Sequence, residues 1–350
     1  MSQAMHQDTR YVTRFTRSTL PGLLLLGLVV IALATAPLWA GTDRMRLLID
    51  VFLYIALASL WNFLAGYAGL VSVGQQAYVG LGGYLFYTLA AKFDVPPLVA
   101  VPIVGVAVAI LSVPIAGLLF RLRGAYFAIG SWVVAEVCRL GFQQVNALGG
   151  GSGMSLPARI ALSIGRTPYD RYLVIYMTAL CLLLVILGLI VAVLRSRWGM
   201  ALTAIRDNEL AARSNGINVG LTKLVVYVVT AFGTAMVGAL IFLQKLRISP
   251  DAGFSVNDWT ALVIFMVVIG GIGSFEGPIL GTIVYFLLRE NLANLGSTYL
   301  MILGAVAIVV MLKAPKGLWG LLRARLNWQL VPLQLRVLRP GGKPEPRPTP

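Results

Sequence analysis

Two apolar runs, residues 169–194 and 223–244, flank a polar island, Arg195–Val219, that is too long to be a turn. A bilayer core of about 30 Å takes roughly 20 helical residues to cross, and both runs are long enough. Lipid offers the backbone no hydrogen bonds, so a run of this length has to be helix. The island itself reads as a helix, a glycine break and the start of a second helix. Held between two spans, it forms a short helical knob in water, on which something outside the membrane can push.

The same measure finds ten crossings, near 19–40, 47–66, 73–93, 97–120, 124–143, 169–194, 223–244, 258–274, 278–295 and 298–313. The expected class is therefore an all-α, polytopic membrane protein. Hydrophobic residues make up 58% of the chain, charged residues 12%, and mean hydropathy is +0.84. No single soluble core hides that much apolar surface. The net charge of +15 does not point to nucleic acid, because the basic residues cluster at the ends of apolar spans. Cys138 and Cys181 both fall inside spans and imply no disulfide framework, and the single histidine, His6, lies in the N-terminal tail.

Basic charge sets the orientation. With the N-terminus inside, ten Lys and Arg residues fall in cytoplasmic segments and eight in the C-terminal tail, eighteen of the 28. Both termini are then cytoplasmic, which only an even number of spans allows. Residues 1–18 form an N-terminal tail, 19–320 the membrane domain, and 321–350 a largely disordered tail ending in Arg339–Pro350, proline-rich and basic with nothing to bury. Residues 20–40 could be a signal peptide, but the apolar run exceeds a usual h-region, so they are read as an uncleaved span.

Three glycine-rich segments interrupt the spans. Gly66–Tyr84 places six glycines and two adjacent amides, Gln75 and Gln76, at the junction of the second and third spans. One reading is a broken helix beside a translocation path, with Gln75, Gln76 and Tyr78 lining it. The other is a small-residue seam in which the amides bond across to a neighbouring helix. Gly149–Met154 opens a long outer loop that is a hinge, a docking surface or a flexible connector. Gly270–Gly281 demands a tight turn, with Glu276 at its tip on the cytoplasmic side.

Few ionisable residues fall within spans: Asp50, Glu136, Arg139, Arg289 and Glu290. Glu136 and Arg139 are three apart and can pair on one helix face, while Asp50, Arg289 and Glu290 lie near span ends. No chain of carboxylates suits a proton relay. Nor does the sequence contain a G-x-x-x-x-G-K-[ST] phosphate loop, a metalloprotease H-E-x-x-H, a nucleophile-elbow G-x-S-x-G or a dinucleotide fingerprint. The chain reads as a pathway rather than an enzyme, with no catalytic residue, metal site or cofactor expected.

Several segments, in order along the chain, carry a family resemblance: Leu60–Gly69, Arg121–Ile129, Ala204–Asn218, Gly270–Gly281 and Lys313–Leu318. Together they resemble the inner-membrane permeases of ABC importers for branched-chain amino acids, of the LivM type, from about residue 50 to 320. The resemblance implies a bacterial inner-membrane assembly: two pore-forming permeases, the second a related chain, two cytoplasmic ATPases and a periplasmic binding protein, with lipid around the spans. Permeases for urea, amides or other small solutes look alike at this level. From a different class, a secondary transporter or channel working without ATP is the competing reading.

The resemblance makes the island a coupling helix that seats in the ATPase, with Arg206, Asp207, Asn208, Glu209, Ala212, Gly216 and Asn218 as its residues. The general E-A-A-x-x-x-G pattern is altered here, since Leu210 holds the Glu position and Glu209 precedes it by one. The residues themselves predict one helix over 199–216, with Gly216 at positive φ just past its end and Asn218 capping the next helix. The competing view is an amphipathic helix resting on lipid. Its apolar face of Ala201, Leu202, Ile205 and Ala212 is small, and Asp207 and Glu209 interrupt the basic side.

Overall fold

The computed structural model describes residues 11–13, 20–292, 298–314, 316–326 and 336–338. The protein is mostly helical. In chain order the helices are α1 Leu20–Thr35, α2 Thr42–Asn62, α3 Gln75–Lys92, α4 Pro97–Leu119, α5 Ala125–Gln144 and α6 Ala158–Ile164; then α7 Pro168–Arg195, α8 Arg197–Asp207, α9 Glu209–Ser214, α10 Val219–Lys245 and α11 Pro250–Gly253; and finally α12 Leu262–Gly270, α13 Gly277–Leu292, α14 Thr298–Lys313 and α15 Gly317–Leu326. Two antiparallel pairs supply the strands among the described residues: β1 Tyr11–Thr13 with β4 Arg336–Leu338, and β2 Met154–Ser155 with β3 Arg247–Ile248.

A helix falls on each of the ten expected segments, but the lengths are unequal. Among the described residues, six helical stretches are long and apolar enough to cross a membrane: Thr42–Tyr67, Pro97–Leu119, Ala125–Gln144, Pro168–Arg195, Val219–Lys245 and Pro250–Gly270. The bent pair Met301–Lys313 and Gly317–Arg323 makes a seventh if counted as one span. α1, α13 and α14 have only 16 residues each. The protein is a multi-pass membrane protein, with six to seven membrane-length helices among the described residues. The expected tail at 321–350 is helical as far as Leu326, and Arg336–Leu338 pairs with the N-terminal strand; the remainder, like most of 1–18, lies outside the described residues.

The core is organised around α10, which packs most extensively on α3 and α4, while α7 packs on α2. The seam between α3 and α10 is unusually close. A Cβ at Gly82 would strike the Ala235 carbonyl, and one at Gly238 would strike the Val79 carbonyl. Glycine on both sides brings the two backbones together, as small residues do wherever apolar helices associate in lipid.

Two π-helical turns, Phe63–Tyr67 and Asn257–Ala261, extend α2 and precede α12. Between Ala68 and α3 the chain is non-helical, so the glycine-rich stretch after residue 66 breaks the helix and also lines a seam. The segment after α5 is folded rather than a plain connector. β2 pairs with β3, the Leu156 N–H donates to the Leu246 carbonyl at 2.9 Å, and α6 follows. Glu136 and Arg139 pair as expected, and Arg139 also reaches Asp251 at 2.7 Å, tying α5 to α11.

Candidate functional site: a capped helical knob and a buried polar seam

The polar island is built from three successive side-chain caps. Ser196 caps α8 by accepting from the Trp198 N–H at 3.1 Å, Asn208 caps α9 by accepting from Ala211 at 3.0 Å, and Asn218 caps α10 by accepting from Leu221 at 3.0 Å. Each cap satisfies a helix-start donor that otherwise has no partner. The expected single helix over 199–216 is therefore two, broken at Asn208. That residue has φ −159° and ψ 107°, an extended conformation that ends α8 while its side chain starts α9. An Asn competes with the helix for its own backbone neighbours, which is why the break falls there.

Gly216 has φ +80°, and the Ile217 N–H bonds the Ala212 carbonyl at 3.1 Å while the Gly216 N–H bonds Arg213 at 3.0 Å. This is the double bond pattern of a helix closed by a left-handed residue. Expectations for Gly216 and Asn218 thus match the geometry. The apolar side of the knob is not free for lipid, since Leu202, Ile205 and Ala212 are buried against the protein, with Ala212 and Ile205 clustered with Val219.

Glu209 locks the knob to α10. Its carboxylate accepts from Lys223 Nζ at 2.8 Å and from the Arg213 guanidinium at 2.8 Å. The Lys223 hydrogen bond, helped by both positive charges, holds the Glu209 carboxyl below its usual value despite the opposing push of partial burial. Arg206 and Asp207 lie at the exposed end of α8, 3.7 Å apart. Leu210 is 77% exposed beside them, an apolar side chain presented to solvent at the position where the general pattern carries Glu. A cleft of about 740 Å³ opens next to the knob, lined by Glu209, Leu210 and Arg213 together with Gly69, Leu70 and the 122–128 turn. Three of the segments singled out in the sequence thus meet at one cleft.

The turn at 270–277 reaches the same end of the molecule. Asn62, buried at the end of α2, accepts from the Gly273 N–H and donates to the Ser274 carbonyl, both at 2.8 Å. Glu276 is buried, not displayed at the tip of the turn. Asn62 escaped notice in the sequence because a lone Asn in an apolar run carries no spacing signal.

Gln75 and Gln76 start α3 inside the bundle. Gln75 Nε2 donates to the Leu57 carbonyl at 3.1 Å and to Thr234 at 3.5 Å, while the Thr260 hydroxyl donates to Gln76 Oε1. Gln75 Oε1, Gln76 Nε2, Ser59 Oγ and Thr230 Oγ1 are buried without a hydrogen-bond partner. Each costs about 1–3 kcal/mol if left dry, so this seam is suited to water or a polar solute. Tyr78 meets Tyr227 hydroxyl to hydroxyl at 2.6 Å. On α10, Lys223, Tyr227, Thr230, Thr234, Gly238, Ile241 and Lys245 follow one another at helical spacing, a single stripe running from the knob past the seam to the helix's far end. The polar spacing within 223–234 was visible in the sequence and went unread.

Known proteins are similar to this chain in sequence. The high-affinity branched-chain amino acid transport system permease protein LivM of Escherichia coli is 28% identical over 327 residues, covering 87% of this chain and 76% of that protein. The probable LivM of Methanocaldococcus jannaschii is 26% identical over 259 residues, 68% of this chain and 74% of that one. The ribose import permease RbsC of Haemophilus influenzae is 32% identical over only 117 residues, 32% and 36% of the two chains. No solved structure matches significantly. Residues 44–312 match the family described as branched-chain amino acid transport system / permease component, and the chain belongs to that family.

Proposed function

We propose that this protein is the permease subunit of an ATP-driven importer for branched-chain or closely similar amino acids, in the cytoplasmic membrane. Cytoplasmic ATPases supply the force, an external binding protein delivers the solute, and a second, related permease completes the pore. The ten helix-bearing segments are ten crossings with both termini cytoplasmic, the shorter ones spanning with help from their neighbours. Gln75, Gln76 and Tyr78 flank the path. The α8–α9 knob is the coupling element, with Arg206, Asp207, Asn208, Glu209, Ala212, Gly216 and Asn218 shaping or presenting it. ATP is hydrolysed by the partners.

The observation that carries the coupling role is the knob's construction. Three caps, a left-handed closure and the Glu209–Lys223 bond make it stiff, and it is joined directly to α7 and α10. An element resting on lipid needs none of this; one that transmits a push does. Glu209→Lys removes the bond to Lys223, and Gly216→Val forces a β-branched residue to φ +80°. Both variants are expected to insert in the membrane yet lose ATPase co-purification or uptake. Wild-type transport and wild-type ATPase recovery in both would remove the coupling role.

A further inference from the structure

At the end of α10 opposite the knob, four charged side chains from four segments converge on one small cavity. Asp50 comes from α2, Lys245 from the last turn of α10, Asp258 from the π turn before α12 and Arg289 from α13. At 1.5 Å per residue, Lys245 lies about 33 Å along α10 from Lys223, close to a full membrane thickness. The cavity holds about 200 Å³, below the roughly 300–1,000 Å³ of sites for drug-sized ligands.

Its walls are set in place by aromatic rings. The Trp259 indole donates to the Ala252 carbonyl at 2.7 Å, and Tyr54 stacks on it with centroids 5.9 Å apart. Lys245 Nζ sits 4.7 Å from the Trp259 ring centre. Leu53, Ile241 and Leu262 supply the apolar remainder. Among the described residues no direct ion pair joins any two of the four charges.

Asp50 is half-buried, while Lys245, Asp258 and Arg289 are exposed around it. Two acids and two bases thus line a shared cavity with apolar side chains between them, and they leave their charges uncancelled by direct contact. A molecule matching that arrangement is small, carries a carboxylate and an ammonium close together, and has an aliphatic body. A neutral solute can hydrogen-bond to these groups but neutralises none of the four charges, and an amine or an acid alone neutralises half.

We infer that this cavity is a receiving site for a zwitterionic, aliphatic α-amino acid. Its carboxylate lies toward Lys245 and Arg289, its ammonium toward Asp50 and Asp258, and its side chain against Leu53, Ile241 and Leu262. The inference rests on the amino-acid import reading above and adds to it the place of recognition within the permease. The stripe on α10 leads from this cavity past the Gln75 seam.

The test uses the complete transporter in nanodiscs, with radiolabelled leucine as probe. Without binding protein present, leucine is expected to bind, while leucine methyl ester, 4-methylpentanoate and ribose compete at least about tenfold more weakly, the scale of one lost charge-assisted contact. Asp258→Asn and Arg289→Gln are expected to raise the half-saturating leucine concentration about tenfold at unchanged ATPase recovery. Glu290→Gln, exposed and outside the cavity lining, is expected to leave it unchanged. Equal competition by the ester or the acid overturns the site without any mutation, as does unchanged leucine binding in both variants. If the unmutated transporter imports leucine while either of those results holds, the receiving site alone is wrong. If it imports no amino acid, the import reading falls and the site with it.

Discussion

Replacing Asn62 with alanine tests whether the 270–277 turn is held by one side chain. Asn62 makes two hydrogen bonds of 2.8 Å to backbone groups more than 200 residues away, accepting from Gly273 and donating to Ser274. Neither backbone group lies within a helix, so neither has a ladder bond to fall back on. A buried polar group left unpaired costs about 1–3 kcal/mol, which for two groups gives about 2–6 kcal/mol as an upper limit. Two effects reduce it: Gly273 and Ser274 are only half-buried, so water can replace part of the loss, and interhelical hydrogen bonds in one membrane protein average near 0.6 kcal/mol. The expected cost is about 1–3 kcal/mol, because the lost partners are backbone groups of a tight turn rather than side chains free to find others.

At about 2–4 °C per kcal/mol, Asn62→Ala should lower the apparent melting temperature in detergent by about 5 °C. The readout is the monodisperse fraction surviving a temperature series on size exclusion. A companion variant sharpens the test. A Cβ on Gly66 would lie 2.6 Å from both Asn62 Oδ1 and Gly273 N, so Gly66→Ala disrupts the same contact. If both variants act through one lock, the double mutant costs clearly less than the sum of the two. Melting of Asn62→Ala within about 1 °C of wild type, or strict additivity, refutes the lock.

Glu209 predicts an acid sensitivity. Its folded-state value lies below the ordinary 4.5, so the stabilisation is present above that value and fades as pH falls through the lower folded one; with the side chain nearly half-exposed, it amounts to less than about 1 kcal/mol. Glu209→Gln should remove that part of the acid loss in a melting series from neutral pH downward. Gly238→Val should sharply reduce monodisperse protein by pushing α10 off the Val79 carbonyl, whereas Gly117→Val, with nothing within 4 Å, should not. Leu210→Asp should leave the melting temperature unchanged but abolish ATPase co-purification, since the side chain is exposed and has no internal packing to lose. Reporter fusions after residues 45, 155 and 250 should read external and those after 122, 210 and 330 internal; an inverted or odd pattern sinks the ten-span topology.

Much of this architecture is legible in the chain because lipid leaves few alternatives. Every apolar run had to be helical, and a helix falls on each of the ten segments. Gly216 and Asn218 were readable for local reasons, since positive φ and an N-cap are decided by neighbours within a turn. The break at Asn208 was missed although it obeys the same rule. An Asn amid Arg206, Asp207 and Glu209 looks like one more polar residue on a solvated helix, and its extended backbone shows only in three dimensions. Asn62 and the four-charge cavity were out of reach for a different cause. Their partners come from distant segments, and one sequence carries no record of which helix ends meet. In the sequence Arg289 lies near a span end, and the packing of α13 against α2 and α12 is what brings it to Asp50 and Asp258.

The stripe on α10 gives the two ends of the molecule a physical connection. Lys223 is bonded to Glu209 of the knob, Tyr227 to Tyr78, and Thr234 to Gln75, while Lys245 lines the far cavity. A helix is stiff along its axis, so displacement of the knob moves this face as a unit rather than being absorbed turn by turn. The contacts it would disturb are unequal. The Gly82–Ala235 and Gly238–Val79 approaches resist sliding because backbone meets backbone, while the amides beside Thr234 have unused donors and acceptors with which to exchange partners. Movement driven from the knob is therefore expected to pivot about the glycine contact and to change hydrogen bonding at Gln75 and Gln76 first. A disulfide-length crosslink between α3 and α10 near the glycines should then preserve uptake, whereas one joining Tyr78 and Tyr227 positions, on the knob side of the pivot, should arrest it. Arrest by both crosslinks to the same degree would mean that α3 and α10 slide as a whole, and the pivot would be wrong.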